Sequence, residues 1–172
     1  MQDAALEAAR SASIVDLVRK FGGVVDIELI RSGPHGPVVI HHEQVKNLVV
    51  NVGKKRVWRI AAGIVTTHHF DQFRIGTSGA AATSAHTNVL SPVTGTINTA
   101  DSKTLLAGTR TLQLVISYPS GAGSKSATGI KEVAVLDTNT SPGGSALMRA
   151  VFTAVNKTTA DKLKITYSVR IS

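Results

Sequence analysis

The sequence predicts a mainly β protein: an antiparallel β-sandwich of roughly eight or nine strands, preceded by an N-terminal helical arm. Thr, Val and Gly are abundant while only 17% of the residues are charged, a composition typical of strands and turns. Apolar and polar residues alternate over several short segments, and turn-forming residues separate them about every ten residues. Because no strand–helix–strand spacing indicates a parallel sheet, we expect two packed sheets, jelly-roll-like or immunoglobulin-like.

The predicted arm occupies residues 1–23, and the predicted sandwich domain occupies residues 24–172. Asp3 can cap a helix that ends at Gly22 and Gly23. Four apolar residues follow helical spacing and form one stripe, namely Ile14, Leu17, Val18 and Phe21. We expect this stripe to dock either on the protein's own domain or on another subunit. Acidic residues precede the apolar part, so a secretory signal is not expected.

The residue pattern in the first third of the domain predicts a hairpin followed by a helical turn. Alternation over 24–30 indicates a strand, and a turn cluster at 32–37 ends it. Residues 38–42 are the expected partner strand. Residues 46–63 combine a short strand with a helical turn.

The rest of the domain predicts further strands of two kinds. The apolar run at 130–136 indicates a strand covered on both faces, whereas the alternation over 162–171 indicates one that is half-buried. Residues 156–161 suit a tight connection between strands. The complete set after the helical turn is 70–76, 89–93, 94–99, 111–118, 130–136, 147–154 and 162–171.

The net charge of +8 is spread thinly along the chain, with one dense basic cluster. A basic balance suits nucleic acid or an anionic surface, but no aromatic residues are interleaved for base stacking. We therefore expect a solvated face or an acidic protein neighbour, and no specific nucleic acid. The cluster consists of Lys46, Lys54, Lys55, Arg56 and Arg59.

Residues capable of catalysis or metal binding are sparse. The chain has no Cys, so disulfides and thiol chemistry are excluded. The six His include the pairs 41–42 and 68–69, and neighbouring side chains on a strand face opposite ways. A metal site would need one His from each pair together with Glu43 or Asp71. Since neither a nucleophile elbow nor a phosphate loop occurs, we expect no enzyme, no cofactor and no metal.

Glu132 and Arg149 are the exceptional charges in otherwise apolar strands. Burial of a charge is tolerable when an opposite charge pairs with it. We therefore expect these two side chains to pair across the sheet, and we expect Glu132→Gln to lower the melting temperature.

Three segments, most of them in the second half of the chain, together form a recognisable sequence pattern. FRIGTSGAAATSAHTNVLSPV lies at 73–93, LQLVISYPSGAG at 112–123, and GIKEVAVLD through NKTTADKLKITYSVRI at 129–171. The pattern resembles that of a group of tailed-bacteriophage virion proteins, over residues 46–171. The matching residues are Ile75, Gly76, Thr77, Thr87, Leu90, Ile130, Glu132, Leu136, Gly143, Gly144, Leu147, Arg149, Phe152, Asn156, Lys157, Thr158, Asp161, Leu163, Ile165, Thr166 and Tyr167.

The resemblance implies a non-enzymatic virion protein whose partners are the major capsid protein or tail proteins and copies of itself, as a homo-oligomer. Our first expectation is a capsid cement or decoration protein, and the alternative is a tail, baseplate or fibre-attachment component. A third alternative, a carbohydrate-binding module, needs exposed aromatics, yet at least two of Trp58, Tyr118 and Tyr167 are expected in the core. The expected partner-contact residues are Ile14, Leu17, Val18, Phe21, Lys54, Lys55, Arg56 and Arg59.

Overall fold

The computed structural model describes residues 21–61, 69–109, 111–121, 126–137 and 145–171. This part of the chain is mainly β, as predicted, and contains ten strands and one helix. The elements are β1 (Phe21–Gly33), β2 (Gly36–Lys46), β3 (Leu48–Val49), α1 (Asn51–Ala61), β4 (Phe70–Gly76), β5 (Asn98–Thr99), β6 (Ser102–Leu106), β7 (Thr111–Tyr118), β8 (Ala127–Asp137), β9 (Ala146–Lys157) and β10 (Asp161–Ile171).

The strands form two five-stranded sheets in a sandwich-like arrangement. The first sheet has the order β2-β1-β10-β7-β6, and the second has the order β3-β9-β8-β4-β5. Neighbouring strands are antiparallel in both sheets. The predicted antiparallel two-sheet arrangement is therefore confirmed.

The main core lies between the two sheets and follows from the period-two alternation. On β10, Leu163, Ile165 and Tyr167 are fully buried, while the residues between them face the outer side. The ring of Tyr167 meets Phe73 of β4 edge-on at 5.5 Å, and its hydroxyl donates to the carbonyl of Val133 at 3.2 Å. Because the Tyr167 ring is desolvated, its pKa is raised well above the ordinary value.

A further layer covers the outer face of the second sheet. Helix α1 and the loop at 77–91 lie over β8 and β9, with a small apolar cluster beneath them that contains Val50, Val89, Ala134, Leu136 and Ala146. This layer explains why residues 132–137 of β8 are buried on both faces, as the apolar run predicted.

The predicted boundary between the helical arm and the sandwich, at residue 23, is wrong. Most of the arm, residues 1–20, lies outside the described residues, but Phe21 begins β1 and pairs with Ile171 of β10. The two glycines do not end a helix, because both lie inside β1. Gly23 instead permits close strand packing, since a Cβ there would lie 2.5 Å from the carbonyl oxygen of Ser168.

Other differences concern short or exposed segments. The strands predicted at 89–93 and 94–99 reduce to β5 and one isolated bridge between Gly76 and Pro92. Strand β6 was not predicted, because all five of its residues are exposed and no burial pattern marks it. The tight connection after β9 is confirmed, but it joins the two sheets instead of closing a hairpin within one sheet.

Candidate interaction surfaces

Glu132 and Arg149 form a buried ion pair on the outer face of the second sheet. The guanidinium Nε and Nη2 of Arg149 both lie 2.8 Å from Oε2 of Glu132, and neither side chain is exposed. The strands place them there because β8 and β9 are hydrogen-bonded neighbours. The predicted cross-sheet pair is confirmed.

The carboxylate of Glu132 also anchors both ends of the covering loop. Its Oε1 accepts the backbone N–H groups of Ser78 and Ser91 at 3.2 and 2.9 Å, and its Oε2 accepts that of Leu90 at 3.0 Å. Gly76 has no room for a side chain here, since a Cβ would collide with this carboxylate and with the carbonyl of Ser91. With both oxygens occupied, the Glu132 carboxylate serves as a loop anchor and not as an accessible base.

Arg149 extends the same network into the loop. Its Nη2 donates to the carbonyl of Ala80 at 3.0 Å, and its Nη1 lies 3.1 Å from Nδ1 of His86. The same Nδ1 accepts the backbone N–H of Thr83 at 3.1 Å. Since a guanidinium and a backbone N–H can only donate, Nδ1 of His86 is the acceptor in this arrangement. The loop is therefore held by a continuous polar network.

The adjacent histidines of β2 face opposite ways, as predicted for neighbours on a strand. His41 lies 3.6 Å from Glu43, whereas His42 lies 3.5 Å from Asp26. Within the ranges that the structure describes, no group of three or more His, Asp or Glu side chains could hold a metal ion. His68, a member of the second pair, lies outside those ranges.

Helix α1 directs part of the basic cluster outward and part inward. Gly53 faces β9, and Val57 packs against the main core. Arg56 turns inward too, where its Nε lies 2.8 Å from Oδ2 of the buried Asp137. This leaves Lys55 and Arg59 exposed on the opposite side of the helix.

The predicted partner-contact residues thus differ in their placement. Lys55 and Arg59, together with the half-buried Lys54, make no ion pair within the described part of the chain. Arg56 has its charge compensated inside the protein. Ile14, Leu17 and Val18 lie outside the described residues, and for Phe21 only the backbone is described.

The open face of the first sheet carries a shallow polar groove of about 280 Å³. Its charged groups already have partners, since Lys164 lies 2.7 Å from Glu28 and Gln44 donates a hydrogen bond to Asp26 at 2.9 Å. Its lining residues are Asp26, Glu28, His42, Gln113, Val115, Lys164 and Thr166, and none of them is Phe, Trp or Tyr. Tyr118 and Tyr167 are core residues, as expected, and the side chain of Trp58 is not among those described.

A second polar network fixes the connection between β9 and β10. The buried carboxylate of Asp161 accepts from Nε of Arg31 at 2.8 Å and from the hydroxyl and backbone N–H of Thr158 at 2.6 and 3.0 Å. The hydrogen bond from Arg31 is the main reason that the pKa of Asp161 is lowered well below its ordinary value.

This network predicts a loss of stability in acid. A lowered pKa in the folded state means that the stabilisation is complete above about pH 4, the ordinary pKa of Asp, and is lost as the pH falls towards the lowered value. Asp161→Asn should reduce stability at neutral pH and flatten this acid dependence. Thermal melts at several pH values test this, with Asp101→Asn, an exposed aspartate, as the control. An unchanged acid slope in Asp161→Asn would contradict the prediction.

Comparison of the chain with family models, with curated proteins and with solved structures gives no match. In the described ranges, no helix is both long and apolar enough to cross a membrane.

Proposed function

We propose that the protein is a structural subunit of a tailed-bacteriophage virion, a cement or decoration protein that stabilises the capsid shell through contacts between subunits. The observation that carries this proposal is the position of the motif residues. Gly76, Leu90, Glu132 and Arg149 are far apart in the sequence, yet they meet in the network that fixes the covering loop. Motif residues with this role hold the covering loop in one conformation, so that the surface it forms can be bound by neighbouring proteins.

The motif residues at the β9–β10 connection support the same proposal. Asn156 Oδ1 accepts the backbone N–H of Gly129 at 2.7 Å, and Gly129 has a φ of 65°, which favours glycine. Thr158 and Asp161 hold the turn itself. These side chains are satisfied by the protein's own backbone and by Arg31. Their roles are architectural, which suits a protein that acts through its surfaces.

The proposed capsid-facing surface is the exposed side of α1. Lys55 and Arg59 are one helical turn apart and share that side, with Lys54 beside them. Such a patch attracts an acidic protein surface and fixes its orientation. In this proposal the arm residues Ile14, Leu17 and Val18 add an apolar anchor to the basic contact.

Purified phage particles test the location directly. We expect mass spectrometry to detect the protein at an abundance comparable with that of the major capsid protein, and we expect immunogold label on the head. Label confined to the tail, with the low abundance of a tail ring, would replace the cement role by the tail alternative. Absence of the protein from particles would overturn the virion proposal.

Charge reversal on α1 tests the surface. Lys55→Glu and Arg59→Glu together should reduce the occupancy of the protein on particles by about tenfold, with a smaller difference at high salt, because screening weakens exposed charge pairs. Lys162→Glu and Arg170→Glu, both in β10 of the first sheet, make the same net change elsewhere and serve as the control. Equal occupancy of the two double variants would reject α1 as the contact.

A further inference from the structure

Strand β6 differs from the other sheet edges in the described part of the chain. An exposed edge strand presents unpaired backbone groups that can pair with another chain. In the second sheet the edges are β3 and β5, each only two residues long. In the first sheet they are β2 and β6, and only these two are long enough to template another strand.

Strand β2 has features that oppose edge pairing. Pro37 lacks a backbone N–H. A register shift leaves Ile40 unpaired between Val39 and His41, which is a bulge. The carboxylate of Glu43 folds back and accepts the backbone N–H of Thr153 on β9, at 2.9 Å from its Oε2. Proline, bulges and inward-pointing charges are the usual protections of natural edges.

Strand β6 has neither a proline nor a bulge. Its register with β7 runs without a shift from Ser102 to Leu106, and it contains no proline. Its one charged residue is Lys103, whose Nζ lies 2.7 Å from Asp71 of β4, so the ammonium is compensated within the protein. This inward-pointing lysine is the one such protection in β6, and residues 104–106 of the strand carry no charge.

The exposed leucines of this edge continue the core face of the first sheet. Leu105 is 72% exposed and lies opposite Leu112, itself 40% exposed. Leu112 is followed on the same face by the buried Leu114 and Ile116. The apolar layer thus extends past the two-residue strand β5 and ends uncovered at β6. Another strand beside β6 would cover it.

We propose that the occupant is β6 of a second copy, paired antiparallel about a two-fold axis so that the two first sheets become continuous. An antiparallel edge is complementary to itself under such an axis. Since Lys103 is compensated by Asp71 in each copy, pairing brings together no uncompensated charges from within β6. This inference rests on the proposed function, because it names how copies of the subunit bind each other.

The size of the edge indicates a weak dimer in solution. A five-residue strand buries less area than the roughly 1,200 Å² at which stable interfaces begin. Such contacts become effective when many copies are held side by side on a shell, which raises their effective concentration. We therefore expect a dimer whose population rises with protein concentration.

Sedimentation velocity on the full chain tests the pairing. The wild type should shift from monomer to dimer with concentration, and Leu105→Lys should raise the dissociation constant by at least about tenfold, because it places an ammonium on the shared edge. Val39→Lys makes the same change at the β2 edge, where Val39 is 49% exposed, and should dimerise like the wild type. A wild type that stays monomeric, or equal effects of the two substitutions, would overturn the inference.

The absence of Cys from the chain allows a crosslinking test without background. Thr104→Cys, at the centre of β6, should give a disulfide-linked dimer under mild oxidation, whereas Val39→Cys should not. The chain's own N-terminal segment is the competing occupant. An intramolecular disulfide in Leu17→Cys/Leu105→Cys, without dimers of Thr104→Cys, would assign the edge to that segment and overturn the pairing.

The β6 pairing and the virion role can be overturned independently of each other. Dimerisation is measured on the isolated protein, and the virion role is measured on particles. A protein that is present in particles but never pairs through β6 overturns only the edge inference. A β6 dimer that is absent from particles supports the edge pairing and overturns the virion role.

Discussion

Arg149→Met should lower the free energy of unfolding by about 3–5 kcal/mol. The substitution leaves the Glu132 carboxylate buried without its cation, and it leaves the carbonyl of Ala80 without its donor. Loss of one partner of a buried pair costs far more than the pair itself contributes, because the remaining charge is poorly solvated. Denaturant-induced unfolding, followed by circular dichroism, measures the effect.

A double-mutant cycle isolates the pair. Glu132→Gln in the Arg149→Met background should cost less than the sum of the two single substitutions, since the stranded charge is removed. Lys164→Met breaks the more exposed pair with Glu28 and should cost less than about 1 kcal/mol. If Arg149→Met cost no more than Lys164→Met, the buried network would not hold the loop.

Gly53→Ala should destabilise the protein by about 1–3 kcal/mol. Alanine in place of glycine ordinarily stabilises a helix by roughly 0.5–1 kcal/mol, so the expected sign is reversed. The reason is the close approach of α1 to β9, where a Cβ at position 53 would lie 2.5 Å from Cα of Leu147. Because the atoms that the new Cβ would meet are backbone atoms, they cannot move aside as a side chain could. The substitution therefore forces α1 away from the sheet.

Gly22→Ala is the matched control for this prediction. Gly22 lies in β1, and a Cβ there meets nothing within 4 Å. We expect that substitution to be close to neutral in the same thermal and denaturant measurements. A stabilising Gly53→Ala would mean that α1 packs less closely on β9 than the structure places it.

The regular strands could be predicted because burial leaves a period in the sequence. The bounds predicted for β7 agree with the structure because apolar and polar residues alternate there. Those predicted for β4 also agree, although Phe70 and Phe73 do not alternate cleanly. The pairing of Glu132 with Arg149 was also predictable, because two opposite charges in apolar strands have few other ways to be buried.

Other features depend on contacts that no local pattern contains. The inward turn of Arg56 follows from the close packing of Gly53 on β9, and its partner Asp137 lies about eighty residues away in the chain. The covering loop depends on backbone N–H groups that reach Glu132 from a distant strand. Strand β6 is wholly exposed, so it leaves no burial period.

The pairing of β1 with β10 has a consequence for how the protein is made. Their ladder runs from Phe21 with Ile171 to Arg31 with Asp161, so the middle of the first sheet joins the first and the last strand that the structure describes. During synthesis β1 has no neighbour on that side until residue 171 has left the ribosome. Contacts at such separation slow folding, to milliseconds or seconds in β-rich domains. We therefore expect the first sheet to remain incomplete, and vulnerable to proteases, until β10 has been synthesised.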